Sequence, residues 1–121
     1  MNIGAWGDSI TYGSCDSEAL GWVGRLRKNL PTDDYYQLYN FGICGETTKD
    51  LLKRFPIELE AITPEKILMA IGINDSKLPE DSNANSVPLE EFVNNLEQII
   101  ECAKEVTTDI TLGSRPSLLI I

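Results

Sequence analysis

A chain of 121 residues has room for one domain and not for two. With 42% hydrophobic and 24% charged residues it has the composition of a globular protein able to build one core. Its formal net charge of −9 sets the surface against nucleic-acid phosphates and anionic lipid headgroups, so neither nucleic acid nor membrane is an expected partner.

The apolar run Asn2–Trp6 reads as a first strand that ends at Gly7. It lacks the basic start of a secretory leader, and no apolar run in the chain approaches the ~20 residues needed to cross a bilayer. Glu18–Leu30 places Leu20, Val23, Leu26 and Leu30 at helical spacing, with Arg25, Arg27 and Lys28 toward the negative end of the dipole. Tyr35–Phe41 is aromatic-rich and stops at Gly42, as a second strand would. Thr47–Ala61 is helical in pattern, and Pro56 is expected to kink it or split it in two. Lys66–Ile71 is a continuous apolar run ending at Gly72, the pattern of a strand buried on both faces.

The clearest periodicity lies in Pro88–Val106. Leu89, Phe92, Val93, Leu96, Ile99, Ile100 and Ala103 form an apolar stripe, Pro88 suits the first helical position, and Glu90 and Glu91 favour the positive end of the dipole. Asp109–Leu112 begins a fourth strand. Strands separated by helices of this length imply crossovers within a parallel sheet covered on both faces, with any site outside the carboxyl ends of the strands.

Three such strand ends carry polar, glycine-bearing segments. The first strand runs into Gly7-Asp8-Ser9-Ile10-Thr11. The second runs into Asn40-Phe41-Gly42-Ile43-Cys44-Gly45-Glu46-Thr47, and the third into Gly72-Ile73-Asn74-Asp75. At such an edge Ser9 offers a hydroxyl and a backbone N–H at a strand-to-helix turn. Gly45 offers an N–H with no Cβ in the way, and Asn74 a side-chain amide. A nucleophile with three donors is what an acyl-transfer transition state requires, because negative charge builds on the former carbonyl oxygen. Asp8 is read as a helix cap and Asp75 as a brace for the Asn74 loop. Gly42 and Gly72 are read as turn glycines, and Trp22, Tyr35, Tyr36 and Tyr39 as core and rim.

These three segments, in this order, resemble the first three sequence blocks of the SGNH (GDSL) serine hydrolases. The resemblance covers roughly the first two-thirds of the chain. It implies a flavodoxin-like three-layer α/β/α fold with a parallel sheet, and hydrolysis of carboxylic esters of lipase or acylhydrolase type. By block, it makes Ser9 the nucleophile and one oxyanion donor, with Gly45 and Asn74 as the other two. The family also uses a late Asp-x-x-His block, and this sequence contains no histidine. The resemblance therefore implies a single incomplete domain over 1–121, poorly active alone. A non-catalytic acyl- or anion-binding module on the same fold is the alternative. A phosphate-binding receiver is disfavoured, since the first strand end has no acidic cluster and the chain no P-loop lysine.

No metal or cofactor is expected. The three cysteines, Cys15, Cys44 and Cys102, form no CxxC pair and read as free thiols buried as small hydrophobes in a reducing compartment, which points to the cytoplasm. The ending Ser114–Ile121, apolar at its tip, reads as a truncated or frame-shifted product, and Leu118–Ile121 is expected to drive self-association.

Overall fold

The computed structural model describes residues 1–78 and 86–113. In chain order the elements are β1 (Asn2–Gly7), α1 (Ser9–Tyr12), α2 (Gly21–Asn29), β2 (Gln37–Gly42), α3 (Thr48–Ile62), β3 (Lys66–Ala70), α4 (Leu89–Lys104) and β4 (Ile110–Gly113). The strands form one sheet in the order β2-β1-β3-β4, and every pairing is parallel. This is the strand order of a flavodoxin-like doubly wound sheet. Among the described residues no helix is long and apolar enough to cross a membrane.

Residues that face each other across parallel strands share a side of the sheet. Trp6 lies between Phe41 and Met69, and Gly4 beside Ile67, so this face carries the large side chains. The Trp6 ring stacks on Phe41 at 4.8 Å between centroids and meets Phe55 edge-on at 4.9 Å. Leu51, Phe55, Leu59 and Ile62 of α3, with Ile99 and Ala103 of α4, close the core above them. Gly4 has to be a glycine, because a Cβ there would lie 2.2 Å from the Trp6 ring.

The other face is thinner. It receives α1 against β1 and β2, with α2 packed on α1. Ile3 and Ala5 are buried on this side, as is Val23 of α2. β3 is therefore not buried on both faces as its apolar run suggested. Ile67 and Met69 are buried under α3 and α4, whereas Lys66, Leu68 and Ala70 are only half-buried.

Three helices differ from their sequence pattern. α3 is not split at Pro56. The proline sits on an exposed side, while Leu51, Phe55 and Leu59 continue one buried stripe past it. Burying three such side chains contributes roughly 5–9 kcal/mol, more than the ~3 kcal/mol an interior proline costs. α4 begins one residue after Pro88, which is its N-cap rather than its first helical residue. The stripe of α4 is also rotated, leaving Leu89 and Val93 exposed and burying Asn95. α2 is shorter than Glu18–Leu30, and its capping residue Leu20 has no side-chain bond to offer. Asp16 does that work, accepting from Leu20 N at 2.8 Å and Gly21 N at 2.9 Å. The Arg25 guanidinium beside it holds the Asp16 carboxyl far below the usual carboxylate range.

The cysteines are free, but Cys15 and Cys44 are exposed, so the expectation of buried thiols holds only in part, for half-buried Cys102. Burial and then Glu105 push the Cys102 thiol up. The segment Leu118–Ile121 lies outside the described residues.

β2 ends against α1 so closely that Gly42 is a packing glycine and not a turn glycine: a Cβ would lie 2.3 Å from Tyr12 N and 2.8 Å from Thr11 C. Gly42→Ala is therefore expected to cost about 1–3 kcal/mol or more through overpacking against backbone. Urea unfolding should show this as a lower midpoint with an unchanged slope.

Candidate active site

The site begins where β1 stops. Asp8 is the N-cap of α1, and its Oδ1 accepts from Ile10 N at 3.0 Å. Ser9 is the first helical residue and is half-buried, and its carbonyl accepts from Gly13 N and Ser14 N, each at 2.9 Å. The turn fits only because position 7 lacks a side chain, since a Cβ on Gly7 would meet Thr11 Oγ1 at 2.1 Å and Ala70 O at 2.4 Å. Asp8 itself is 3% exposed. Burial pushes its carboxyl up, against the lowering effect of the Ile10 N–H. Asp8 is thus the cap that the sequence suggested, placed where its charge is costly.

The second segment leaves β2 beside the first. Asn40 links the two, its Nδ2 donating to Thr11 O at 3.1 Å while its Oδ1 accepts from Gly42 N at 2.9 Å. Ile43 N donates to Gly7 O at 3.1 Å, and Glu46 N closes a turn onto Ile43 O at 3.3 Å. Gly45 sits at the outside of this turn with φ +80°, a conformation that favours glycine, and nothing lies within 4 Å of where its Cβ would be. The backbone at Gly45 is open to an incoming group. After it, Thr47 and Asp50 form a capping box that starts α3.

The third segment joins the second through Asn74. Its side-chain Nδ2 donates to Glu46 O at 2.9 Å, a buried bond onto the residue next to Gly45. An amide NH₂ carries two hydrogens, so one can hold the loop while the other remains for a ligand oxygen. Gly72, with φ +127°, is the turn glycine expected there. Asp75 points the other way: its carboxylate accepts from Thr48 N at 2.9 and 3.2 Å and from the Thr48 hydroxyl. Asn95 of α4 donates to the same hydroxyl at 3.2 Å. Asp75 is 2% exposed and braces the Asn74 loop against two helices, the structural role read from the sequence.

Sequence reasoning missed Arg54. It projects from α3 beneath the second segment and pairs with both Glu46 and Glu58. Burial pulls its guanidinium down, but the bonds to Glu46 and Glu58 outweigh this and hold it above its ordinary value. The only signal in the sequence was the i, i+4 spacing of Arg54 and Glu58 on a helix. Among the described residues no group of His, Cys, Asp and Glu could hold a metal ion.

Trp22, half-buried, donates from Nε1 to Thr11 Oγ1 at 3.3 Å and so buttresses α1. Cys44 has Ser14 Oγ 3.0 Å from its sulfur. The three polar segments thus leave one edge of the sheet and are tied to each other by named bonds: first to second by Asn40 and Ile43, second to third by Asn74.

The sequence model of the GDSL-like lipase/acylhydrolase family matches residues 5–118. This chain belongs to that family. Solved structures of GDSL-type esterases resemble it closely in fold. TesA superposes with a TM-score of 0.78 at 25% identity, over 93% of this chain and 59% of its own. An acetylxylan esterase from Geobacillus stearothermophilus, Axe2, gives 0.74 at 25% identity, over 92% of this chain and 57% of its own. That structure is a catalytic mutant with a histidine replaced by alanine, and catalytic mutants of the same esterase lacking an aspartate or a serine also match. A GDSL-family lipolytic protein from Desulfitobacterium hafniense gives 0.69 at 26% identity, over 86% of this chain and 53% of its own. The chain therefore spans somewhat more than half the length of the GDSL structures it matches. No curated protein sequence matches it.

Three expectations follow from these bonds. Asp8→Ala should lose the α1 cap at a cost of about 0.5–2 kcal/mol, whereas Asp8→Asn keeps a capping oxygen without the buried charge. Because burial raises the Asp8 carboxyl in the folded state, its contribution is fully present below the unfolded carboxyl's value. It is lost as pH rises through the folded one. The Asn variant should therefore gain on the parent as pH goes from acid to neutral, read as the difference between their thermal midpoints across pH. Asp75→Ala strands the buried Thr48 donors and should cost about 1–3 kcal/mol, measured by the same unfolding.

Proposed function

We propose that this chain carries the nucleophile and oxyanion half of a carboxylic ester hydrolase of lipase or acylhydrolase type. The observation that carries this reading is the bond from Asn74 Nδ2 to the carbonyl next to Gly45, in a chain that belongs to the GDSL-like family. In this reading that bond ties together the two segments, after β2 and after β3, that bear two of the three oxyanion donors, at the sheet edge where α1 begins with Ser9.

In this reading Ser9 Oγ attacks the carbonyl carbon of an ester. The carbonyl π pair moves onto oxygen, and the oxyanion is met by Ser9 N–H, Gly45 N–H and the second Asn74 N–H. Collapse of that intermediate expels the alcohol, which takes the proton that Ser9 gave up, and leaves an acyl group on Ser9, which water hydrolyses to the free acid. Each donor of this kind is typically worth about 2.7–4 kcal/mol of barrier. A serine hydroxyl is a poor nucleophile until a base takes its proton. The catalytic mutants of Axe2 replace a serine, an aspartate or a histidine. In this reading Ser9 takes the part of that serine, and the 121 residues include no histidine. Loss of the base costs up to ~10⁶ in kcat in serine proteases, so these residues alone are a very poor enzyme.

The absence of histidine also supports a second reading, in which the same donors hold an acylated or anionic ligand without turnover. The expected partner is in either case a small molecule, and the net charge of −9 disfavours nucleic acid and anionic membrane. We place the protein in the cytoplasm, where free thiols such as Cys15 and Cys44 stay reduced.

Chemical rescue separates the two readings. Without additive, p-nitrophenyl acetate should turn over no faster with this chain than with its Ser9→Ala variant. Added imidazole should supply the missing base and produce a rate that depends on Ser9, and Asn74→Ala should lower that rescued rate about 100-fold or more. Equal rates for the parent and Ser9→Ala in imidazole would sink the esterase reading and leave the binding module. Strong Ser9-dependent turnover without imidazole would mean that another base serves Ser9.

A further inference from the structure

Gly45 stands on an exposed turn, and residues 43, 44 and 45 are all solvent-facing. Outside contacts do little to fix such a loop, yet a donor is effective only if it is held where charge will develop. Beyond the bond from Ile43 N to Gly7 O, Glu46 is the buried residue through which this loop is anchored inward. Its carbonyl receives Asn74 Nδ2 on one side, and its carboxylate descends to Arg54 on the other. Arg54 Nε donates to Glu46 Oε1 at 2.7 Å and Oε2 at 3.0 Å, and Nη2 donates to Oε2 as well. The same Nη2 donates to Phe41 O at 2.8 Å, at the end of β2, with Gly7 O at 3.5 Å at the end of β1. Nη1 donates to Glu58 Oε1 at 2.6 Å, and that oxygen also receives Trp6 Nε1 at 3.0 Å. One side chain thus grips the loop that bears Gly45, the two strand ends beside it, and the core.

We propose that Arg54 is the positioning residue for the Gly45 and Asn74 donors, acting through Glu46 as a clamp that fixes the loop to the ends of β1 and β2. The name of donors rests on the esterase reading above; the clamp itself rests on the bonds just given. A planar guanidinium is required. It spans two carboxylates and a backbone carbonyl at once with donors in a fixed fork, which the three donors of an ammonium on a flexible stem do not reproduce. Glu58 holds the fork from the far side, so that Glu46 receives it in a set orientation.

The test is nuclear magnetic resonance on the ¹⁵N-labelled 121-residue chain and its Arg54→Lys variant. In the parent, the Gly45 amide should show the heteronuclear NOE of an ordered residue, and the Asn74 side-chain NH₂ pair should resonate away from the positions of a solvated asparagine. In Arg54→Lys the Gly45 NOE should fall to that of a mobile loop, and the Asn74 pair should move to solvated positions. The amides of Ile67 and Met69 in β3 should stay where they were. Ethylguanidinium added at millimolar concentration to Arg54→Ala should restore both signals. Unchanged Gly45 and Asn74 signals in Arg54→Lys would overturn the clamp. So would a shift of the β3 amides as large as that of the loop, since Arg54 would then serve the whole fold. Where the Arg54 variants do not fold, Glu46→Gln decides: it breaks the bridge at the loop end, and unchanged Gly45 and Asn74 signals there overturn the proposal. None of these readouts involves turnover, so failure of the Ser9-dependent imidazole rescue sinks the esterase reading and leaves the clamp to be judged alone.

Discussion

Two parallel strands cannot be joined by a tight turn; the chain has to cross back over the sheet before the next strand begins. In this protein the long crossovers are α3 and α4, and the crossover from β1 to β2 is built from α1 and α2. Every strand therefore finishes at the same edge, and every residue that follows a strand is delivered there. The polar segments after β1, β2 and β3 share an edge for that reason alone. What the individual residues add is the fine adjustment. Gly7 and Gly42 let α1 sit directly on the strand ends, and Asn40, Asn74 and Arg54 stitch the segments together.

The cost of this arrangement is carried below the edge. A buried carboxylate at Asp8 and an ion cluster of Arg54 with Glu46 and Glu58 lie under a surface whose upper residues are open to solvent. Buried ion pairs are weak contributors to stability, because taking two charges out of water offsets their attraction. Their use is geometric: each bond fixes a direction, and a cluster of them fixes a loop that has little apolar surface of its own.

The sheet and its order of elements were legible in the sequence because burial dictates period, and the periods of residues 2–6, 66–71 and 88–106 are clean. The same pattern could not say how thickly each face is covered. An apolar run such as Lys66–Ile71 reads alike whether helices cover one side of it or two, and here Leu68 and Ala70 meet the thinner cover. The rotation of α4 was hidden for a related reason. Asn95 breaks the apolar stripe, and nothing local shows that a threonine hydroxyl on α3 waits for it. At the site, Ser9, Gly45 and Asn74 stood out because each follows a strand. Arg54 did not, because its partners at Glu46, Phe41 and Gly7 lie 8 to 47 residues away and are joined to it only by the fold.

The chain of bonds from Asn95 through Thr48 to Asp75 bears on how this sequence can drift. Thr48 both donates to a carboxylate and accepts from an amide, and no described solvent-facing surface relieves either partner, since all three residues are buried. A change at any one position removes a bond from its neighbour, so the effects of single substitutions at the three positions are coupled. Positions 48, 75 and 95 consequently form one heritable unit: because the Thr48 backbone N–H needs an acceptor at position 75 whatever side chain stands at 48, descendants of this chain should retain the carboxylate and vary its two neighbours together.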